Sequence, residues 1–273
     1  MDFEKYLEKT AEELDKVVSK ILEEQLKKAN KTDKKLIPLL KAFTKSCQGG
    51  KRIRGALVKL GYHIANGKSG GIIKIGAAYE ICHSAILAHD DIIDQSLLRR
   101  GKPSLYKELG GNHYGISQAI SLSDYGFFLS YKIICETDFP NDSKIKALNL
   151  FSNVMMNTTW GEMLDLEETD PFIVMKLKTA CYTISGPLQL GAFLGGADEK
   201  VIRILGNFGE NLGIAYQIKD DILDSETKSV KRAKKEAADF KNRAMKVLPQ
   251  ITKDSKMSKL LAQMADYLVE RTK

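Results

Sequence analysis

Two acidic clusters, each set inside apolar sequence of helical character, constrain this chain more than any other feature. The first is His89-Asp90-Asp91-Ile92-Ile93-Asp94. On a helix Asp90 and Asp94 stand one above the other at i and i+4, with Asp91 on an adjoining face. Like charges at that spacing repel and cost a few tenths of a kcal/mol of helix stability, which a bound hard cation turns into a gain. Asp220-Asp221-Ile222-Leu223-Asp224 repeats the pattern about 130 residues later. A single charge run is usually a solvated helix face. Two copies, preceded by the apolar stretches 81–88 and 214–218, point instead to carboxylates lining a partly buried site.

The rest of the pattern is helical. Residues 3–28 put Phe3, Tyr6, Leu7, Leu14, Val17, Val18, Ile21 and Leu22 on one stripe, with a break at Asn30-Lys31-Thr32-Asp33. A short helix over 36–43 leads to Gly49-Gly50, and Lys51 and Arg54 open the next helix. Such a glycine turn leaves backbone N–H groups free at a helix start, where cationic side chains add charge-assisted bonds to a phosphate. A long helix runs from Gly70-Gly71 through Asp94, followed by a basic turn with Arg99 and Arg100 just past the carboxylates. Carboxylates beside guanidiniums usually mean ion pairing, but with Mg²⁺ the same set makes a diphosphate clamp. Further helices are expected over 116–135, 143–165, from Lys176, over 188–195 after a kink at Ser185-Gly186-Pro187, over 201–224, and as two amphipathic closing helices from Lys231 to the end. No stretch shows sustained period-two alternation, so an all-α, single-domain helical bundle over 1–273 is expected.

Composition narrows the partners. At 43% hydrophobic the chain can bury one large core, and 42 Lys and Arg against 35 Asp and Glu leave a net charge of +7 that favours anions. There is no recognised nucleic-acid motif, so a small phosphorylated substrate fits better. Cys47, Cys82, Cys135 and Cys181 are far apart, lack metal-site spacing, and read as reduced core thiols. The chain starts Met1-Asp2-Phe3-Glu4 without an apolar signal region, and no apolar run approaches membrane-spanning length; a cytoplasmic protein without a transmembrane segment is expected.

Taken together, Gly50-Lys51-Arg52-Ile53-Arg54, Asp90-Asp91-Ile92-Ile93-Asp94, Arg99-Arg100-Gly101-Lys102-Pro103 and Gly213-Ile214-Ala215-Tyr216-Gln217-Ile218-Lys219-Asp220-Asp221 resemble the trans-isoprenyl diphosphate synthases, in the family's order, from about residue 40 to Asp224. The resemblance implies an isoprenoid-synthase fold and a Mg²⁺-dependent head-to-tail condensation of isopentenyl diphosphate with an allylic diphosphate. It implies metal ligands Asp90, Asp94, Asp220, Asp221 and Asp224 for three Mg²⁺ ions, and a catalytic set of Asp90, Asp91, Asp94, Arg99, Lys178 and Asp220. Lys51, Arg54, His83 and Arg100 correspond to the isopentenyl diphosphate pocket, Arg99, Lys178 and Thr179 to the allylic side, and Gln217 to a further substrate-binding position. Glu162 departs from the family's usual Gln, and the Gly-Lys-rich loop expected after Asp224 is replaced by Ser225-Glu226-Thr227-Lys228, which leaves the clamp's third lysine unassigned.

Two alternatives share these features. A class I terpene cyclase has the acidic sites and the fold but needs no second diphosphate pocket; a non-catalytic subunit of a heteromeric synthase would need none of the carboxylates. Within the condensation reading, the growing tail runs down the helix that ends at Asp90, past Ile86, Ala85, Cys82 and Tyr79. Ala85 leaves its level open and Tyr79 is the first large ring, roughly 16 Å below Asp90, so a product of about twenty carbons or longer is expected. The helix over 116–135 is apolar on more than one face (Ile120, Leu122, Tyr125, Phe127, Phe128, Leu129, Ile133, Ile134), which points to a homodimer.

Overall fold

The computed structural model describes residues 2–167, 169–225, 227 and 229–270. Glu226 and Lys228, part of the run that replaces the family's usual loop, lie outside the described residues. The chain is all-α. Its helices are α1 (Phe3–Thr32), α2 (Leu36–Ser46), α3 (Ile53–Ile64), α4 (Ile72–Ile93), α5 (Leu105–Glu108), α6 (His113–Cys135), α7 (Asn141–Asp165), α8 (Pro171–Val174), α9 (Gly186–Leu194), α10 (Glu199–Leu223), α11 (Val230–Val247) and α12 (Ser255–Glu270). Among the described residues none is long and apolar enough to cross a membrane.

By their contacts the residues fall into two compact units: Met1–Lys9 with Ala56–Ile72 and Phe139–Lys273, and Thr10–Gly55 with Ile73–Asp138. In the first unit Phe3, Phe151, Leu188, Phe208, Leu261 and Leu268 form the buried core. Helices α3 and α9 touch backbone to backbone there: a Cβ on Gly61 would fall 2.1 Å from the carbonyl oxygen of Leu188, and one on Gly191 1.9 Å from that of Val58. Under the second acidic cluster, Ile214 and Ile218 pack on Ala180, Ala233 and Ala237, small residues that let α11 close on α10. The second unit buries Leu14, Phe43, Ile75, Tyr79, Ile81 and Ile134. Caps follow the sequence: Asp198 Oδ1 accepts the Val201 N–H at 2.8 Å to start α10, and Asn112 Oδ1 accepts the Gly115 N–H at 3.1 Å to start α6.

Four sequence expectations need correction. Helix α1 continues to Thr32, because Asn30 to Thr32 carry no residue that breaks a helix outright; the turn comes only at Asp33, whose carboxylate accepts the Lys35 N–H. The basic turn after α4 is a minimal β-hairpin, β1 (Leu98–Arg99) against β2 (Lys102–Pro103), with Leu98 facing Pro103 and Arg99 facing Lys102. Its central residues, Arg100 at φ +53° and Gly101 at φ +72°, both have the positive φ that a type I′ turn requires. Lys176 does not open a helix: α8 starts at Pro171, with the Asp170 carboxylate accepting the Phe172 N–H, and runs on into a π-helical stretch, Met175–Ser185. Pro187 has no N–H to give the carbonyl four residues back and its ring crowds that carbonyl, and the wider π turn before it relieves the crowding. Lastly, of the four thiols Cys47 and Cys82 are buried and Cys181 is half-buried, but Cys135 is exposed, since it ends α6 on the face away from Ile133 and Ile134.

Candidate functional site

The first acidic cluster ends α4. Asp91 is turned inward, its side chain 3% exposed, while Asp90 is half-buried and Asp94 exposed. The hairpin returns Arg99 to them: its Nε donates to Asp91 Oδ1 at 2.7 Å and its Nη2 to Asp90 Oδ2 at 2.8 Å. Burial raises the Asp91 pKa, and the bond from Arg99 opposes that rise. Arg99 itself is pulled down by burial, yet Asp91 and Asp90 hold it above the ordinary arginine value. The carboxylate and guanidinium that the sequence places side by side are therefore ion-paired in this structure.

Arg100 turns the other way. Its Nη1 donates to the carbonyls of Gln48 at 3.3 Å and Gly49 at 3.1 Å, and its guanidinium covers Gly50, where a Cβ would come within 2.8 Å of Nη2. Gly50 sits at φ +90°, a backbone conformation that favours glycine. A cavity of about 270 Å³ opens here, walled by Gln48, Gly49, Gly50, Asp91, Arg99 and Arg100. Lys45, paired with Glu108 at 2.8 Å, and Lys102 of the basic turn also reach it; Lys45 does not stand out in the sequence, where it reads as an ordinary surface lysine.

Lys51 and Arg54 are not at the start of a shared helix, because Arg52 takes a left-handed φ of +52° and α3 begins only at Ile53. Lys51 is exposed, and neither it nor Arg54 lines the cavity. Arg54 lies with Nη1 3.2 Å from His83 Nε2, and since a guanidinium only donates, that ring nitrogen accepts and the proton sits on Nδ1. His83 is buried; burial, then Arg54, Arg100, Arg52 and Arg99, keep its pKa well below the ordinary histidine value. The imidazole is neutral at pH 7, and four guanidiniums act on it.

The residue that sequence reading passed over is Arg52. Lying between Lys51 and Arg54 in one cationic run, it is nevertheless buried: Nε donates to Asp15 Oδ1 at 2.7 Å, Nη2 donates to the Cys47 carbonyl at 2.7 Å, and Nη1 lies 3.6 Å from Glu80 Oε2. Glu80 in turn accepts the Gly55 N–H at 2.8 Å. Nothing in the order of residues marks Arg52 apart from its neighbours.

In the other unit, the second cluster ends α10, with Asp220 and Asp221 half-buried and Asp224 exposed. Gln217, one turn earlier, donates from Nε2 to Asp221 Oδ1 at 2.8 Å and accepts the Thr179 hydroxyl at 2.7 Å. Burial raises the Asp221 pKa; the Gln217 bond opposes this and Asp224 adds to it. Lys178, in the π-helical stretch, donates to Asp165 Oδ2 at 2.8 Å and pairs with Glu162 at 3.0 Å. Burial pulls its pKa down, but those two carboxylates carry it above the ordinary lysine value. Gly161 lets the π stretch come this near to α7, for a Cβ there would meet the Lys178 backbone nitrogen at 2.4 Å. The i, i+3 spacing of Glu162 and Asp165 was the available signal for this partner pair.

Along α4, Tyr79, Cys82 and Ala85 are fully buried and Ile86 partly so. At the level of Ala85 the neighbouring helix comes close: a Cβ built on Gly126 of α6 would fall 2.9 Å from Ala85 Cβ and 2.7 Å from Phe43 Cζ.

This geometry can be set beside known proteins. The chain is 30% identical over 184 residues to the geranylgeranyl diphosphate synthase of Sulfolobus acidocaldarius, and 36% identical over 184 residues to the geranylfarnesyl diphosphate synthase of Methanosarcina mazei. Each alignment takes in 64% of this chain, but only 54% and 58% of the relative, so the match spans little more than half the length of these proteins. Among solved structures, a geranylgeranyl pyrophosphate synthase from Corynebacterium glutamicum complexed with isoprenyl diphosphate and magnesium is similar with a TM-score of 0.88 at 18% identity, covering 99% of this chain and 100% of that one. That likeness establishes the all-α isoprenyl synthase fold. The family model for polyprenyl synthetases matches residues 37–268, the span that carries both acidic clusters, the glycine turn and the paired arginines, and by that match the chain belongs to the polyprenyl synthetase family.

Proposed function

We propose that this chain condenses isopentenyl diphosphate head to tail with an allylic diphosphate, giving a trans-polyprenyl diphosphate of about twenty carbons or longer. The observation that carries the reading is the cavity at the glycine turn. Arg100 there is held by backbone carbonyls, four guanidiniums bear on a neutral, buried His83, and the walls include the Arg99 and Asp91 pair at the end of the first acidic cluster. Concentrated positive charge beside a carboxylate set suits a diphosphate, and the products named for the relatives fall in the proposed length range.

Mg²⁺ suits the donors present. They are hard carboxylate oxygens, the ligand type of an ion that keeps several waters and takes its remaining ligands from substrate phosphates. Asp90 and Asp94 on α4, and Asp220, Asp221 and Asp224 on α10, would hold it, three ions in all. When bound, the metal neutralises charge that builds on departing pyrophosphate. The chain's own part is electrostatic and exclusionary. Arg99 and Lys178, each kept charged by carboxylate neighbours, supply fixed cations for the allylic diphosphate, and Lys51, Arg54 and Arg100 do so for isopentenyl diphosphate. The apolar face of α4 keeps water from the allylic cation. The exposed Phe128 and Ile120 on α6 support a homodimer, which sedimentation of the purified chain tests.

The deciding experiment incubates the purified chain with Mg²⁺, isopentenyl diphosphate and allylic diphosphates of five, ten and fifteen carbons. Elongated products with one pyrophosphate released per added unit are expected. Hydrocarbons formed from the allylic diphosphate alone would replace this reading with a cyclase, and turnover that begins only when a second protein is added would replace it with a subunit of a heteromeric synthase.

A further inference from the structure

The glycine turn that the proposed isopentenyl diphosphate pocket depends on is a thin wall. In front of it lies the cavity of about 270 Å³ that Arg100 and Asp91 share, and behind it lies a second cavity of about 310 Å³, bounded by Asp15, Ser19, Thr44, Cys47 and Arg52. Gln48 and Gly49 border both. A Cβ placed on Gly49 would touch nothing within 4 Å. With open space at Gly49 and cavities on both sides of it, the turn's position there rests on directed bonds rather than on close packing.

Those bonds come from two arginines. Arg100 grips the carbonyls of Gln48 and Gly49 from the front. Arg52 grips the Cys47 carbonyl from behind, and is itself tied to Asp15 on α1 and set beside Glu80 on α4, the residue that accepts the Gly55 N–H where the turn rejoins α3. Arg52 combines a left-handed backbone, which a bulky residue rarely takes, with a buried side chain. A buried guanidinium with its donors spent on three separate elements is a fixing point, since its planar fork sets direction as well as distance.

We infer that Arg52 is a positioning residue: anchored by Asp15 and Glu80, it sets the Cys47–Lys51 turn in the place from which Lys51, Arg100 and the backbone of Gly49 and Gly50 meet a diphosphate, so that the first helix tunes that pocket's affinity through Asp15. This inference rests on the pocket assignment above, and its test separates the two. Arg52→Met and Asp15→Asn are compared with wild type by steady-state kinetics for each substrate, and by mass-spectrometric hydrogen exchange of the peptide covering 47–51, well below the melting temperature of every variant. Asp15 lies on α1, outside the substrate-binding set, and its replacement by Asn keeps its shape.

Expected for Arg52→Met is a rise in the isopentenyl diphosphate KM of about tenfold, equivalent to about 1.4 kcal/mol, with kcat and the allylic KM within about twofold and with faster exchange over 47–51. Asp15→Asn should move the same two readouts in the same direction by a smaller factor. Equal losses in both Michaelis constants and kcat, or unchanged exchange over 47–51 in both variants, would overturn the inference. Should wild type itself neither bind nor turn over isopentenyl diphosphate, the pocket assignment fails, and the exchange measurement alone still decides whether Arg52 fixes the turn.

Discussion

Removing Arg99 measures how firmly the first acidic cluster is held. Its guanidinium makes one bond to each of two carboxylates, at 2.7 Å to Asp91 and 2.8 Å to Asp90, but these differ in surroundings: the Asp91 side chain is 3% exposed, that of Asp90 18%, and Arg99 itself 36%. A desolvated bond to a charged group contributes about 1.5–3 kcal/mol, whereas a solvated ion pair contributes about 0–1. The Asp91 bond belongs to the first range and the Asp90 bond nearer the second. Arg99→Ala should therefore cost about 2–4 kcal/mol by urea unfolding at pH 7, and a double-mutant cycle with Asp91→Asn should return a coupling of about 1.5–3 kcal/mol, against less than about 1 with Asp90→Asn. Acidity supplies a second check. Burial, the largest influence on Asp91, already raises its pKa, and without Arg99 nothing of that strength opposes it. With the folded pKa above the unfolded one, the folded variant takes up a proton that the unfolded chain does not as pH falls toward 3.8, so the gap from wild type should narrow on acidification. A coupling below about 0.5 kcal/mol with Asp91, or a gap that widens toward low pH, would refute this account.

Three further outcomes are expected. Asp90→Ala and Asp220→Ala should each lower turnover by orders of magnitude while circular dichroism stays unchanged, and near wild-type rates in either would remove that cluster from the site. Product analysis by chromatography should give longer chains for Tyr79→Ala; Ala85→Phe, which must displace Phe43 or α6, should shorten them and also destabilise the chain by about 1–3 kcal/mol through overpacking, and unchanged lengths in both would dismiss α4 as the ruler. His83, kept neutral mainly by burial and next by Arg54, has a folded pKa below its unfolded 6.5; below pH 6.5 only the unfolded chain binds the proton, so stability falls by up to about 1.4 kcal/mol per pH unit and His83→Gln should flatten that limb of the denaturation profile.

What was legible in the sequence was what a period of 3.6 residues can carry. The stripe Phe3, Leu14, Val18, Leu22 specifies α1, and the apolar run before Asp90 specifies a buried α4, because burial and helical phase are written in single residues. The acidic ends of α4 and α10 and the cationic run near the glycine turn were legible for the same reason. The π-helical stretch was not, since Met175–Ser185 reads as an ordinary helix, and the close approach to α7 that accompanies it depends on Gly161 of another helix. Arg52 was hidden because its left-handed backbone and its three separate partners are not written in the order of residues, and the close approach of α6 to α4 at Ala85 was hidden because it depends on a glycine forty-one residues away.

The hairpin after α4 works as a two-pronged fork. Arg99 and Arg100 are consecutive, yet one reaches the carboxylates of Asp90 and Asp91 and the other the carbonyls of Gln48 and Gly49. Arg99 closes β1 and Arg100, at φ +53°, opens the turn, so the two prongs part where strand backbone gives way to left-handed backbone. The division of labour between the two cations therefore belongs to the turn: a residue at position 101 that resists positive φ would disturb both prongs at once without removing either charge.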